Sequence, residues 1–487
     1  MRIHLIGACG TAMGTLAALL KQRGHDVSGS DEHVYPPMSD FLRGEGIRLL
    51  EGYTDEHVAH PLDLVVVGNA ISRGNPELEA VLDRRLRYCS LPEAVRDFFL
   101  WGTESVVVAG THGKTTTTSL AGWLLTHGGL DPGILVGGIA RNLGDGGASY
   151  RLGGGRLFVI EGDEYDSAYF DKTAKFLKYV PTIAVVNNIE FDHADIYADL
   201  EAVRIAFRRL VNLVPRRGLT ILGVDSPEAA ALQPLARSRV QTFGLADGAD
   251  WRAVDISFGT MAVPPRVDGT DVPSLHHDAG VLRAGTRFRL LHHRVDLGEI
   301  VVPMAGEHNV RNTLAAIAIG SELGVSLDVM REGLLAFRGV KRRLEVVGER
   351  RGVTLYDDFA HHPTAVAETL RAVRGMAPGR RVWAVFEPRS ASSCRRVFQK
   401  DFARAFEAAD QVVIATVYRS TLPEAERLSE AELVADLEAA GVAARHLPDV
   451  DAIVRAVAAE ARPGDLVVVM SNGGFGGIHG KLLQALA

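Results

Sequence analysis

Short β-branched runs alternate with helical periodicity from the first residues of the chain. Arg2–Ile6 reads as a buried strand, Thr11–Gln22 as a helix, Asp26–Ser30 as a second strand and Leu64–Gly68 as another. Strand and helix signals in alternation predict a parallel sheet with crossover helices. The pattern starts again at Ser105–Ala109, followed by a glycine-containing loop, a helix from Thr115, and strands at Leu157–Glu161 and Ile183–Asn187. From Val224 to Leu297, Pro, Gly and Asp break the periodicity, and no element can be placed there. A third run opens near Leu327, with buried strands at Arg381–Phe386, Gln411–Val417 and Asp465–Met470. Ser429–Glu432 has the pattern of a capping box, opening a helix between the last two strands. The fold class is therefore α/β in three domains: residues 1–101, Rossmann-like; 102–326, like a P-loop ATPase; and 327–487, again Rossmann-like.

Length and composition agree with this division. At roughly 150 residues per domain, 487 residues make about three domains. Hydrophobic residues at 47% and charged residues at 23% describe a globular chain. Lys+Arg 53 against Asp+Glu 60 gives a net charge of −7, so no basic field invites nucleic acid or an anionic membrane. Cys9, Cys89 and Cys394 have neither metal-ligand spacing nor a disulfide framework, which fits a reducing compartment. The apolar run Ile3–Leu20 is interrupted by His4, Gly7, Gly10, Thr11 and Gly14, unlike a signal peptide. No later window reaches the roughly 18 apolar residues that span a bilayer. A soluble, cytoplasmic protein is expected.

The densest chemistry lies in AGTHGKTTTT, Ala109–Thr118, between a strand and a helix. Gly110 and Gly113 let backbone N–H groups converge on phosphate, and the helix N-terminus adds partial positive charge. Lys114 suits β/γ-phosphate oxygens and Thr115 suits Mg²⁺. Val108 stands where the first glycine of the standard phosphate loop belongs. Two acidic clusters, Glu161–Asp166 and Asn187–Asp195, each follow a strand; a carboxylate, an imidazole and a loop hydroxyl suit a partly hydrated divalent ion. At the N-terminus, GACGTAMG (Gly7–Gly14) joins strand to helix, with Asp31 after the second strand, as in a dinucleotide fingerprint. That segment alone raises the alternative of an NAD-dependent oxidoreductase, but such an enzyme needs no triphosphate loop further along. Asn309 and Asn312 lie on one helical face, where two amides can read a base edge. The pairs His276/His277 and His292/His293 lack ligand partners at helical spacing and read as surface.

Taken in order, GTHGKTT, EGDEYD, NIEFDHAD, GEHNVRN, RRLE and DDFAHHPT resemble the Mur ligase family, the ATP-dependent amide-forming enzymes of bacterial cell-wall synthesis. The resemblance runs over essentially the whole chain. It implies that the first domain binds UDP-N-acetylmuramate through Gly7, Cys9, Gly10, Thr11, Asp31 and Ser72. It places ATP against Gly110, Thr111, His112, Gly113, Lys114, Thr115 and Thr116, with Asn309 and Asn312 on adenine. Thr115, Glu161 and His193 would hold Mg²⁺. Arg343 and Asp358 would act at the γ-phosphate, completing a catalytic set with Lys114 and His193. VYPPMS, FEPRSASS and SNGGFGGIHGKLL point within the family to a branch whose amine is the tripeptide L-alanyl-γ-D-glutamyl-meso-diaminopimelate, serving peptidoglycan recycling. L-alanine is the alternative amine. Arg389 and Arg419 are the cations expected to meet peptide carboxylates. Where many members carry a carbamylated lysine, this chain has Arg208, with Arg204 and Arg209 nearby, so that modification is not expected.

Overall fold

The computed structural model describes residues 1–263, 276–277, 280–418 and 422–487, so Arg419 lies outside the described residues. The chain forms two compact units. One comprises Met1–Glu190, Glu201–Trp251 and Ala315–Met330; the other comprises Phe191–Leu200, Arg252–Leu314 and Arg331–Ala487.

Two main sheets build the first unit. Strands β1 (Arg2–Ile6), β2 (Asp26–Asp31), β3 (Arg48–Glu51), β4 (Leu64–Val67) and β5 (Tyr88–Ser90) are all parallel, in the order β3-β2-β1-β4-β5. The chain runs outward from β1 to β3 and returns to β4, so the loops after β1 and β4 diverge and leave a crevice at the carboxyl edge. Ile3, Leu5, Val65 and Val66 are fully buried, as the central strands of a parallel sheet covered on both faces must be.

The other sheet takes β6 (Glu104–Ala109), β7 (Gly133–Ala140), β8 (Ala148–Arg151) and β9 (Leu157–Gly162). A separate hairpin follows, β10 (Asp166–Ala168) with β11 (Asp171–Ala174), and then β12 (Ile183–Val186), β13 (Leu219–Gly223) and β14 (Arg239–Gly244). Within this unit the sheet order is β14-β13-β12-β6-β9-β7-β8. Register matters most for function: β6 pairs in parallel with both neighbours, Ala109 opposite Gly162 on β9 and Val186 on β12. The carboxyl ends of all three strands, each followed by one of the polar motifs, are thereby brought level.

In the second unit, β15 (Trp251–Val263), β16 (His276–His277), β17 (Gly280–His292) and β18 (Val295–Val302) occupy the stretch where sequence predicts nothing definite. β17 and β18 pair antiparallel from Thr286–Val302 to His292–Val295. Phe288 and Leu290 are buried while Arg287 and Arg289 face outward, paired across the strands with Glu299 and Asp296. His293 is exposed and His292 half-buried at the turn; the side chains of His276 and His277 lie outside the described residues.

The last sheet has β19 (Glu345–Arg350), β20 (Val353–Asp358), β21 (Val382–Phe386), β22 (Gln411–Ala415), β23 (Ala443–Leu447) and β24 (Leu466–Met470), ordered β19-β20-β24-β21-β22-β23. Only β19 is antiparallel. The helix Glu430–Ala439 starts where expected, with Ser429 accepting from the Glu432 N–H at 3.3 Å. The Glu432 carboxylate does not complete the box, because Arg396 takes it. Among the described residues no helix is long and apolar enough to cross a membrane.

Candidate active site

In the first unit, β6 delivers the chain into the loop Gly110–Gly113 and the helix Lys114–His127. Gly110 (φ +133°) and Gly113 (φ +80°) adopt conformations that favour glycine. A Cβ at Gly110 would also meet the Asn187 backbone N at 3.0 Å. The segment after β12 fastens the loop: Thr111 N–H donates to Asn188 O at 3.0 Å, and His112 N–H donates to Asn188 Oδ1 at 2.8 Å. His112 also pairs with Glu190 at 3.1 Å.

Lys114 Nζ donates to Gly110 O at 2.8 Å, to Thr111 O at 3.1 Å and to the buried Glu164 carboxylate at 2.8 Å. Burial alone disfavours the ammonium, but Glu164, Asp163 and Glu161 outweigh it and hold its pKa above the usual lysine value. Thr115 Oγ1 donates to Glu161 Oε1 at 3.0 Å, and Glu161 Oε2 accepts from Gly137 N–H at 2.7 Å. A threonine hydroxyl beside a carboxylate, at a helix N-terminus, is a hard oxygen donor set that fits Mg²⁺. Thr116 is buried at the base of the same helix.

A second cluster lines the carboxyl edge of the β1–β5 sheet. Gly7 (φ +84°) and Ala8 both donate N–H to Ser30 O at 2.9 Å, turning the chain toward Gly10 and Thr11 at the start of helix Thr11–Gln22. Asp31 accepts from Cys9 N–H at 2.8 Å and from His33 N–H at 3.2 Å, so it braces the loop. Burial, with the charge of Asp31, pushes the Cys9 thiol pKa upward. Ser72 is exposed beyond the end of β4.

The second unit gathers the rest. Gly306 (φ +98°) leads into the helix Glu307–Glu322, where Asn309 Nδ2 donates to Ala305 O at 2.7 Å and Asn312 Nδ2 donates to Asn309 Oδ1 at 3.2 Å. The loop 341–344 takes positive φ at Arg342 (+59°) and Leu344 (+48°), the residues flanking Arg343. The guanidinium groups of Arg342 and Arg343 lie 5.2 and 5.0 Å from the ring centre of Phe359. Asp358 is buried and ties the same loop, accepting from Leu344 N–H at 2.6 Å and Ala360 N–H at 2.8 Å. Burial raises its pKa, against the opposing influence of Arg343 and these N–H groups.

His193 (φ +53°) belongs to this unit, its N–H donating to Asp192 Oδ1 at 2.7 Å and Ser392 Oγ at 3.0 Å. Burial resists charge on Asp192, yet His193, His362, His361 and the Ser392 hydroxyl hold its carboxyl well below the usual range. Arg389, after β21, stacks its guanidinium 3.7 Å from the Tyr418 ring centre and sits 3.7 Å from Glu387. Glu387 accepts in turn from Ser471 Oγ at 2.5 Å.

The expected residues thus fall into two sets, one per unit: Lys114, Thr115 and Glu161 with the loop after β1, and His193, Asn309, Asn312, Arg343, Asp358 and Arg389. Glu164, Glu387, Tyr418, Phe359 and Ser392 escape sequence reasoning. Glu164 stands inside the EGDEYD motif, so charge density there was the available signal; the others reveal themselves only through contacts.

Three family models cover most of the chain: the Mur ligase family catalytic domain over residues 2–100, the Mur ligase middle domain over 108–320, and the Mur ligase glutamate ligase domain over 342–473. A protein of Escherichia coli (strain K12), named UDP-N-acetylmuramate–L-alanyl-γ-D-glutamyl-meso-2,6-diaminoheptandioate ligase, is 40% identical over 492 aligned positions, covering 100% of this chain and 98% of that protein. The chain belongs to the Mur ligase family. Mur ligases are ATP-dependent enzymes that form amide bonds. A relative from Kineococcus radiotolerans, named UDP-N-acetylmuramate–L-alanine ligase, is 38% identical over 100% of this chain and 96% of its own length. The crystal structure of a murein peptide ligase from Psychrobacter arcticus 273-4 matches with a TM-score of 0.69 at 35% identity, covering 100% of this chain and 98% of that one. Arg208 pairs with Glu201 at 2.9 Å on a helix, Leu200–Leu213, that contains no lysine.

Proposed function

We propose that this Mur ligase joins UDP-N-acetylmuramate to L-alanyl-γ-D-glutamyl-meso-diaminopimelate, consuming ATP. Residues 1–101 hold the UDP-sugar, 102–326 the ATP and 327–487 the incoming peptide. The observation that carries the ligase chemistry is Lys114, Thr115 and Glu161 converging at one helix N-terminus. The choice of amine rests on the relatives named for that tripeptide at 40% identity over the whole chain, and on a fixed guanidinium at Arg389.

A muramyl carboxylate oxygen attacks the γ-phosphorus, ADP leaves, and an acyl phosphate results. The peptide amine then attacks the acyl carbon, losing a proton as phosphate departs. The first step brings two anions together, so its barrier is electrostatic. Lys114 and the N–H groups of the Gly110–Gly113 loop meet that charge without reorganising, and Arg343 would add a second cation. Thr115, Glu161 and His193 would hold Mg²⁺, which supplies positive charge to the transferring phosphoryl group. The second step needs a neutral amine. An α-amino group titrates at about 7.7–8.0, so no strongly tuned base is required. Arg389, its face covered by Tyr418, turns its N–H edge toward a peptide carboxylate.

Turnover with the tripeptide and UDP-N-acetylmuramate labelled with heavy oxygen in its carboxyl group tests this directly. The expected products are UDP-muramyl tripeptide, ADP and phosphate carrying the label. Phosphate without label would refute the acyl phosphate, and nicotinamide turnover without ATP would favour an oxidoreductase.

A further inference from the structure

We propose that Ser392, on the loop after β21, is a positioning residue for His193, and so links the amine-side loop to the metal-side loop. The inference rests on the reading above, in which Arg389 meets the peptide and His193 holds the metal.

Ser392 and Asp192 are both buried, at 2% and 5% exposure, and the Ser392 hydroxyl donates to Asp192 Oδ1. The same hydroxyl oxygen accepts the His193 N–H at 3.0 Å. His193 holds a left-handed backbone conformation, φ +53°, which for a residue with a side chain costs about 1–2 kcal/mol. Such a conformation persists only where its surroundings fix it. Here Ser392 and Asp192 accept its N–H, while its carbonyl accepts from Ile196 and Tyr197 N–H at 2.9 and 3.0 Å. Two further contacts grip Phe191, two residues earlier: His362 Nε2 donates to Phe191 O at 3.1 Å, and the Phe191 ring stacks on Phe398 at 5.8 Å. Ser392, His362 and Phe398 all come from the C-terminal part of the chain.

Ser392 also shares a stiff turn with the peptide-side cation. Ser393 Oγ accepts from Arg389 N–H at 3.0 Å and from Ser390 N–H at 2.9 Å, and Ser390 Oγ accepts from Ser393 N–H at 2.9 Å. A carboxylate that draws on Arg389 therefore moves a turn whose other end holds the His193 backbone. Groups that orient a metal ligand in this way tune the ligand without touching the metal.

The test uses full-length S392A and S392T. Removing the hydroxyl in S392A should raise the Mg²⁺ concentration needed for half-maximal ligation by about 10- to 100-fold. S392T, which keeps the hydroxyl, should retain the wild-type requirement. Hydrogen–deuterium exchange at residues 191–197, measured without nucleotide or metal, should be faster in S392A, and tripeptide binding by calorimetry should be unchanged. Should S392A fail to fold, D192N removes the same carboxylate contact and should raise the Mg²⁺ requirement likewise. An unchanged Mg²⁺ requirement in S392A or D192N, or unchanged exchange at residues 191–197, would overturn the proposal. Failure of the wild-type chain to bind the tripeptide would instead overturn the amine assignment.

Discussion

Lys114 is asked to carry positive charge inside the protein, and the residues around it show how that is made stable. Its ammonium is surrounded by two carbonyls and Glu164, with Asp163 and Glu161 nearby, which together offset the burial that disfavours its charge. Replacing Lys114 by Ala removes the charge proposed to meet the phosphate and should lower kcat by about 10²–10³; single-turnover rates check this, and near-normal turnover would refute the loop assignment. Arg343, held against Phe359 by a strained loop, should behave differently. Arg343→Ala should depress kcat more than UDP-sugar affinity, and equal effects on both would mean that it only positions the loop. At this scale the sequence was legible wherever chemistry is local: Gly110, Gly113, Lys114 and Thr115 lie within one short motif. It was not legible at Ser392 and Asp192, which stand 200 positions apart and meet only through the fold.

Between residues and the whole molecule lie the loops and strands that aim them. The Ser471–Gly473 loop after β24 is one such device. A Cβ at Gly473 would fall 2.2 Å from Arg389 Nε, so glycine is what lets the guanidinium lie between this loop and Tyr418. Gly473→Ala should push Arg389 aside and raise KM for the tripeptide by about 10- to 100-fold, the loss expected of a hydrogen bond to a charged group, while KM for ATP stays unchanged.

The helix Pro76–Asp83 presents another. Its Glu77 is fully buried against β1 and β2, accepting from Ser30 Oγ at 2.5 Å, from His4 Nε2 at 3.3 Å and from His57. Burial works against its charge, but the hydrogen bonds from His4, Ser30 and His57 bring its pKa below the ordinary 4.5. A carboxyl depressed by folding stabilises above its unfolded pKa and loses that contribution as pH falls through its folded value. Glu77→Gln should therefore cost about 1–3 kcal/mol near neutrality, and the gap in Tm to wild type should close below about pH 4.5. A gap that persists in acid would mean that packing, not charge, is responsible.

Elements with buried parallel strands announce themselves as apolar runs, which is why β1, β6, β9, β12, β21 and β24 could be placed from sequence. β15, β17 and β18 could not. Charged outer faces, such as Arg287 and Arg289 beside Phe288, dilute the hydrophobic signal, and β17 pairs antiparallel with β18.

For the molecule as a whole, the three α/β domains of a Mur ligase account for the order of motifs along the chain. The division into compact units follows contacts rather than that order. Phe191–Leu200 joins the unit that contains β19–β24, because Ser392, His362 and Phe398 hold it there. No periodicity could have announced this, since the segment is a polar loop whose allegiance is decided by side chains far downstream. His193 therefore shares its compact unit with Arg343, Asp358 and Arg389.

The central claim, that this Mur ligase extends UDP-N-acetylmuramate by a diaminopimelate-containing tripeptide, is tested most directly by comparing amines at fixed UDP-N-acetylmuramate and Mg-ATP. A higher kcat/KM for L-alanyl-γ-D-glutamyl-meso-diaminopimelate than for L-alanine is the result predicted here. A preference for L-alanine would contradict it.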